Sequence, residues 1–447
     1  MSTHLPEDAN NGATENAGNT GNAVKLAAAQ KRSRNAILMV ALVVLVDITG
    51  FGLILPLLPF WAERLGANPF EVGMILSVYA LAQFLFTPVL GALSDRFGRR
   101  PVILISLLIE AIGFALTALV GTLPLLLAAR FVGGLGASNI GSAQAVVADV
   151  TAPKDRARGM GMVGAAIGVG FVVGPALGGV LAGFGATVPF WAALVVALLN
   201  ALLVLIFLPE TRGQRTALAQ ATQRNQFALF AGWQRALHTP AIARLIVVNL
   251  LFTLAFTAME AVFPLFTQDV FGWLATQNGY LFTYVGVLIV VMQGGMVGQL
   301  VKRFGERGVQ IAGLGLLAVG LALLPFSGTL ALLLVALALL SIGDGAVTPT
   351  NNALLSLATP PEAQGETLGL SQGVAGLGRM VAPLVAGGLF GAGIGLPFFF
   401  GAALAVVALL VALPQIAMPS HTGATTSETE LGAARPSDGS AMAPLHS

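Results

Sequence analysis

Cysteine is absent from this chain of 447 residues, which excludes disulfide bonds, thiolate nucleophiles and cysteine-ligated metals. Histidine is scarce, and no glycine-rich phosphate loop of the nucleotide-binding kind occurs. The only histidines, all outside the apolar segments described below, are His4, His238, His421 and His446. We therefore predict no enzyme, no cofactor and no metal site.

Charge is also scarce. Charged residues make up 9% of the chain and hydrophobic residues 56%, whereas roughly 25% of an average soluble protein is charged. Such a chain cannot cover a folded surface with water-soluble groups, so we predict an integral membrane protein in a lipid bilayer. The net charge of +2 gives no indication of a nucleic-acid partner.

Long apolar runs recur along the sequence at regular intervals. A helix needs about 20 apolar residues to cross a bilayer core of roughly 30 Å, and this length gives twelve segments. We therefore predict an all-α membrane protein with twelve transmembrane helices. The predicted spans are 36–60, 70–93, 101–120, 124–149, 159–181, 188–208, 242–266, 277–300, 309–326, 329–354, 368–390 and 396–413.

Lysine and arginine are distributed unevenly between the two sides that these spans define. With the N-terminus inside, the outer side receives only Arg64. Because basic loops stay in the cytoplasm, we predict a multi-pass inner (plasma) membrane protein with both termini cytoplasmic. The inner side receives Lys25, Lys31, Arg32, Arg34, Arg96, Lys154, Arg156, Arg158, Lys302, Arg303, Arg307 and the central polar stretch.

The two halves of the chain resemble each other. GALSDRFGRR at 91–100 matches GQLVKRFGER at 298–307 in six of ten positions, and each string follows the second span of its half. Such a parallel repeat is typical of transporters that bind substrate near the midplane between their halves. The predicted divisions are a disordered tail 1–35, a six-helix bundle 36–208, a linker 209–241, a second six-helix bundle 242–413 and a disordered tail 414–447.

Several ionisable residues fall inside predicted spans, where charge is costly. Asp47 lies roughly 16 Å into the first span at 1.5 Å per residue, so it must be protonated, paired or in a water-filled cavity. We predict that it couples protons, with a fixed hydrogen bond as the alternative. Five further ionisable residues within spans are candidates for the same proton coupling, and for each a structural ion pair is an equally weighted alternative. They are Glu110, Arg130, Glu260, Asp344 and Arg379.

The arginines among them have predicted partners. Arg130 stays protonated and should meet Glu110 or Asp47, whereas Arg379 should meet Asp344 or an anionic substrate. Further polar or aromatic residues within spans are candidates for a substrate cavity; they are Gln83, Asn139, Gln144, Phe263 and Gln293.

Four strings, each in its expected span, resemble motifs of the major facilitator superfamily, and within it of the twelve-span drug:proton antiporters that include tetracycline efflux proteins. The resemblance implies the major facilitator fold. The strings are Gly91–Pro101 after the second span, Asp47 followed by GFGLILPLLP in the first, Arg130 with Gly134 and Gly136 in the fourth, and Gly168–Gly179 in the fifth.

The resemblance implies a gate on the cytoplasmic side and a seal between the halves on the outer side. Asp95 would engage the start of span eleven near Thr367 when the protein is closed to the cytoplasm, and the neighbouring arginines would reach Asp149. The predicted cytoplasmic gate comprises Gly91, Asp95, Arg96, Gly98, Arg99, Arg100 and Asp149. The fifth-span motif would seal the halves together on the outer side, through Gly170, Gly174, Pro175, Gly178 and Gly179.

These observations together predict a proton-coupled antiporter that exports small amphiphilic compounds, multidrug or tetracycline-like, by alternating access. We expect it to act as a monomer with protons and a small-molecule substrate as its partners. One alternative is an importer or uniporter of a polar or anionic metabolite on the same fold. A second is a receptor or lipid-handling membrane protein that transports nothing.

Overall fold

The structure, a computed structural model, describes residues 35–151, 156–208, 210, 238–360 and 363–414. Within these residues the chain folds into helices joined by short turns, without a β-strand. Most of the predicted central linker and nearly all of both predicted tails lie outside them. Ten of the described helices are long and apolar enough to cross a membrane.

The helices are numbered α1 to α12 so that each label corresponds to one predicted span. α4 is interrupted by a 3₁₀ turn at Ala137–Asn139, and α1 has a turn at 55–57. The first six are α1 (Asn35–Arg64), α2 (Pro69–Phe97), α3 (Arg99–Leu119), α4 (Leu123–Gly136 and Ile140–Val150), α5 (Arg156–Ala182) and α6 (Val188–Phe207). The second six are α7 (Pro240–Phe271), α8 (Ala275–Val291), α9 (Val297–Leu323), α10 (Leu330–Leu357), α11 (Gln364–Ala392) and α12 (Leu396–Ala412).

α8 and α9 follow each other without a loop, although the sequence predicted one at 301–308 between the eighth and ninth spans. A π-helical turn at Met292–Met296 joins them into a helical stretch of 52 residues, Ala275–Phe326. At 1.5 Å per residue this stretch measures roughly 78 Å, far more than a bilayer core. Gly305, with φ 71° and ψ 161°, breaks it. Counted as two spans, and with the shorter α12, the helices match the predicted twelve, which stays a prediction.

The charged string between the second and third spans is helical, although the sequence predicted a loop. α2 continues through Asp95 and Arg96 to Phe97, and α3 begins at Arg99. Gly98 alone separates them, with a positive φ of 110°. Hydropathy ends a span where polar residues begin, but backbone hydrogen bonding continues past the edge of the apolar segment.

The first half, α1–α6, meets the second half, α7–α12, along two helix pairs. α2 packs along α11, and α5 packs along α8. We call the end of the bundle where α2 meets α3 the Gly98 end, and the end where α1 meets α2 the Gly66 end. The described residues up to Leu413 form one compact unit, and the division into two bundles stays a prediction.

Candidate functional site

A cavity of about 100 Å³ lies between the two halves, lined by α1, α2, α4, α7 and α11. Its walls are mostly apolar and include Phe51 and Tyr79, whose stacked rings have centroids 5.5 Å apart. Arg130 reaches it from the first half, and Glu260 and Arg379 reach it from the second. An apolar pocket with a few convergent polar groups is typical of a small-molecule site.

A buried cluster joins α1, α3 and α4 next to this cavity. Glu110 lies within hydrogen-bond reach of Asp47 and is attracted by the charge of Arg130. Arg130 donates from Nη2 to the Thr117 hydroxyl at 2.7 Å, and its guanidinium carbon lies 5.6 Å from the centroid of the Tyr79 ring. The structure therefore brings together the two acids and the arginine that the sequence predicted as partners.

The second half contributes a separate group of charges. Glu260 of α7 interacts electrostatically with Arg379 of α11 and with Asp344 of α10. Asp344 is 9% exposed, whereas Arg379 is exposed and faces the cavity. The sequence predicted Asp344 or a substrate as the partner of Arg379, and the structure adds Glu260 as an acid that attracts it.

Gln83 is the predicted cavity glutamine that lines this pocket. It donates from Nε2 to the carbonyl oxygen of Ala137 at 3.1 Å, at the 3₁₀ turn that interrupts α4. Asn139 closes the same turn, but its side chain is outside the described part of the structure. Tyr79 was not singled out from the sequence, although it lies four residues before Gln83 and therefore on the same face of α2.

The other predicted cavity residues lie elsewhere. Gln144 and Gln293 are exposed and are not among the residues that line the pocket. Phe263 is 1% exposed and packs in the hydrophobic core, with its ring centroid 5.8 Å from that of Phe282. An aromatic residue near an acid in sequence therefore need not share its cavity, because successive helix positions face different directions.

Arg99 is the centre of the charged string at the Gly98 end. Its Nη2 lies 2.7 Å from the carboxylate of Asp95, and its Nε lies 3.2 Å from that of Asp149 on α4. Its Nη1 donates to the Ser94 hydroxyl at 2.6 Å, and Arg99 itself is 6% exposed. The structure thus joins an arginine of the string to Asp149, as the resemblance implied.

The remaining gate candidates have different surroundings. Arg96 is exposed, with its guanidinium carbon 5.3 Å from the Phe97 ring centroid. Arg100 donates from Nη2 to the carbonyl oxygen of Leu205, near the end of α6. Gly91 is open, with no atom within 4 Å of where a Cβ would be.

Glu210 is a member of this network that the sequence analysis missed. Its carboxylate accepts from the backbone N–H of Arg99 at 3.0 Å and of Arg100 at 3.2 Å. A carboxylate is stabilised there by the unpaired N–H groups and the positive end of the helix dipole. The only local signal was an acid just after the sixth span, which does not by itself identify its partner.

The glycine stripe of α5 packs mainly within the first half. Gly170, Gly174 and Gly178 face α1, and a Cβ on Gly174 would lie 2.7 Å from the Cα of Gly52. Gly179 instead faces the second half, where a Cβ would lie 2.9 Å from the Cα of Gly279 on α8. The expectation that all of these residues seal one half against the other is therefore wrong for Gly170, Gly174 and Gly178. Helix residues four apart share a face, so these three face the same neighbour, whereas Gly179 lies on the adjacent face of α5.

α2 and α11 make the second close contact between the halves. A Cβ on Gly73 of α2 would overlap the carbonyl oxygen of Pro383, and one on Gly387 would overlap that of Pro69. These contacts and the Gly179–Gly279 contact lie toward the Gly66 end. Absent side chains allow helix backbones to approach this closely.

The comparisons with known proteins agree with this architecture. The sequence model of the Major Facilitator Superfamily matches residues 40–307 and 294–438. The chain belongs to the major facilitator superfamily. It is 34% identical over 403 residues to the tetracycline resistance protein, class C, of Escherichia coli, which covers 88% of this chain and 100% of that protein.

Two further similar proteins are not named as tetracycline resistance proteins. Multidrug resistance protein 2 of Bacillus subtilis (strain 168) is 31% identical over 372 residues, which cover 82% of this chain and 91% of that protein. The crystal structure of the human organic anion transporter MFSD10 (TETRAN) aligns with a TM-score of 0.64 and 27% identity, over 85% of this chain and 99% of that one. The protein is therefore a multi-pass membrane transporter with the major facilitator fold, acts on small molecules and is not an enzyme.

Proposed function

We propose that this transporter is a proton-coupled antiporter that exports small amphiphilic compounds by alternating access. The observation that carries the proposal is the buried Asp47–Glu110–Arg130 cluster next to a cavity between the halves. Ionisable residues inside a membrane bundle are costly, and they commonly mark proton or ion pathways. The names of two relatives, a tetracycline and a multidrug resistance protein, favour export of drug-like amphiphiles.

The cluster offers a way to couple a proton to a change of shape. Two carboxyl groups in hydrogen-bond reach repel each other when both are ionised, so Asp47 and Glu110 readily share a proton. Each added proton weakens the attraction that holds Arg130 between α1, α3 and α4. A change that alters the relative stability of two conformations shifts their populations, and exchange requires the protonated form to favour the conformation that binds substrate weakly.

Alternating access requires one contact region at each end of the bundle. The glycine contacts at the Gly66 end would open when substrate leaves, and the Gly98 end, where Arg99 links α2, α3 and α4 of the first half, would then close against the second half. The Lys and Arg distribution favours a cytoplasmic Gly98 end in an inner membrane. The transporter would then work as a monomer in the lipid bilayer, with both termini in the cytoplasm and protons as its second partner.

Proton movement in proteoliposomes tests the proposal. Purified protein is reconstituted with an internal pH dye, and tetracyclines, lipophilic cations and organic anions are added in turn. We expect one compound class to trigger proton movement that empty liposomes do not show. A silent panel with correctly folded protein would contradict antiport.

One observation favours a second candidate, an importer or uniporter of an anionic metabolite. Arg379 presents an exposed guanidinium to the cavity, and the similar human protein is named an organic anion transporter. The two candidates differ in direction. An importer moves labelled solute into vesicles along an imposed gradient. An antiporter moves labelled solute into vesicles only in exchange for protons that leave them.

A further inference from the structure

Arg379 is the charged group of the cavity that a ligand can reach most easily. It is exposed on α11, yet the pocket around it consists largely of Leu, Ile, Ala and aromatic side chains. A guanidinium stays charged in a protein and presents a planar set of donors that matches a carboxylate, sulfonate or phosphate. In an apolar cavity such a group gains strongly from an anionic partner.

Arg130 lines the same cavity but is already engaged. It is 2% exposed, its Nη2 is bound to the Thr117 hydroxyl, and the ring of Tyr79 covers its guanidinium. Glu110 attracts it as well. Arg130 therefore contributes positive potential to the cavity, while Arg379 offers the accessible donors.

Glu260 is the internal competitor for Arg379. Both side chains line the cavity, from facing helices α7 and α11, and their charges attract each other. Asp344 on α10 adds a second negative group beside Glu260. An anion that enters the pocket would compete with the charge of Glu260 for Arg379.

We propose that the transported compounds carry an anionic group that binds Arg379 in competition with Glu260, with their apolar part against Phe51 and Tyr79. The proposal deepens the function proposed above, because it takes the cavity to be the substrate site. It names an amphiphilic organic anion as the substrate class and Arg379 as the residue that selects it.

This assignment also restricts where an exchanged proton can bind. Protonating Glu260 removes the charge that attracts Arg379, so a proton on Glu260 and an anion on Arg379 favour each other's binding, which is the linkage of a symporter. The described groups that face Glu260 are Arg379 and Asp344, with Arg130 and Tyr79 across the cavity. In an antiporter of anions the exchanged proton must therefore bind elsewhere, at Asp47 and Glu110, and act through the conformational change.

A matched set of ligands tests the substrate class without any transport. The probes are naphthalenesulfonate, the neutral naphthalenesulfonamide and naphthylmethyl-trimethylammonium, which share one ring system and differ in charge. Their binding to the full-length protein in lipid nanodiscs is measured by calorimetry, with empty nanodiscs subtracted. We expect the sulfonate to bind about tenfold more tightly than the sulfonamide, about 1.4 kcal/mol, and the ammonium compound to bind least.

Variants assign the preference to the two residues. R379Q should reduce sulfonate affinity to that of the sulfonamide, and R379K should retain part of the preference. E260Q should bind the sulfonate more tightly than wild type, because its competitor charge is gone. R303Q, the same substitution at an exposed arginine of α9, is the control and should change nothing; thermal unfolding of each variant verifies folding.

Tighter binding of the ammonium compound, a sulfonate preference that survives R379Q, or no binding of any probe by wild type would overturn the proposal. The outcome is separable from that of the proteoliposome experiment. Probe binding with no proton movement contradicts antiport and leaves the substrate class intact. Proton movement triggered only by cations supports antiport and contradicts the anionic class.

Discussion

Gly98 and Gly305 interrupt the helices at equivalent positions of the two halves, each with a positive φ, 110° and 71° respectively. Two residues after each glycine an arginine binds the end of the last helix of its half. Arg100 donates to a carbonyl near the end of α6, and Arg307 donates to the carbonyls of Ala412 and Leu413 at the end of α12. The repeated string at 91–100 and 298–307 thus corresponds to a repeated structure, a helix interruption at glycine followed by an arginine that contacts the last helix of its half.

The first prediction compares alanine at these two glycines. A positive φ costs an alanine about 1–2 kcal/mol, so both G98A and G305A should lower the free energy of unfolding. G98A should cost more, because its Cβ would lie 2.5 Å from the Glu210 carboxylate and would displace it from the N–H groups of Arg99 and Arg100, whereas no atom lies within 4 Å of the corresponding position at Gly305. Denaturant titration of both variants in the same detergent measures the difference.

Gly91 provides the control for this pair, because it is helical and no atom lies within 4 Å of its Cβ position. G91A should be neutral or slightly stabilising, as alanine is the better helix former. Equal costs for G98A and G305A would show that the contact with Glu210 contributes nothing.

Most of the helical architecture could be predicted from the sequence, because an apolar run of about 20 residues between polar ends has few alternatives in a bilayer. Gly305 lies in the interval 301–308 that separates the predicted eighth and ninth spans, but the helix on both sides of it could not be predicted in this way. Arg303 and Glu306 flank it in a string that resembles a loop, yet the helix continues through both. Hydropathy indicates where the chain leaves the apolar part of the bilayer, but it does not indicate where the backbone hydrogen bonds of a helix end.

The candidate site was predictable to a smaller extent. Asp47, Glu110 and Arg130 could be grouped because each is a costly charge in a neighbouring span. Glu210 and Tyr79 could not, since an acid in a polar segment and an aromatic ring in an apolar one are both ordinary. Their roles depend on which helices pack together, which periodicity within a single helix does not encode.

The second prediction concerns Arg99, which links Asp95 and Asp149. R99Q removes the links that hold α2, α3 and α4 of the first half together at the Gly98 end, and through this loss it should favour the conformation that is open there, by up to about tenfold, or about 1.4 kcal/mol. The chain has no cysteine, so Q83C can serve as a single reporter in the cavity. Its rate of labelling by a charged maleimide, compared between inside-out and right-side-out vesicles, measures the shift.

R303Q is the matched control for this experiment, because Arg303 is the equivalent of Arg96 in the second half and is exposed over the Phe304 ring. It should leave the labelling ratio unchanged. If R99Q also leaves the ratio unchanged, the Arg99 network has no part in closing this end of the bundle.

The third prediction concerns the proton. D47N removes the titratable group that lies against Glu110 and should abolish substrate-triggered proton movement, by about a hundredfold or more relative to wild type, while the protein still folds and binds ligand. D269N, the same substitution at an exposed residue of α7, should retain activity. Full proton movement in D47N would remove Asp47 from the mechanism and leave Glu110 as the remaining acid of that cluster to test.

The last prediction concerns closure at the Gly66 end. A Cβ on Gly279 would lie 2.5 Å from the Cα of Gly179 and 2.7 Å from the carbonyl oxygen of Pro175. Both are backbone positions that cannot move aside like a flexible side chain, so G279A should separate α5 from α8 and disfavour the conformation closed at this end. Labelling of the Q83C reporter from the Gly66 side should rise severalfold, by up to about tenfold for about 1.4 kcal/mol. G298A on α9 has open space at its Cβ and should label like the parent, whereas unchanged labelling in G279A would mean that α5 and α8 do not separate when this end opens.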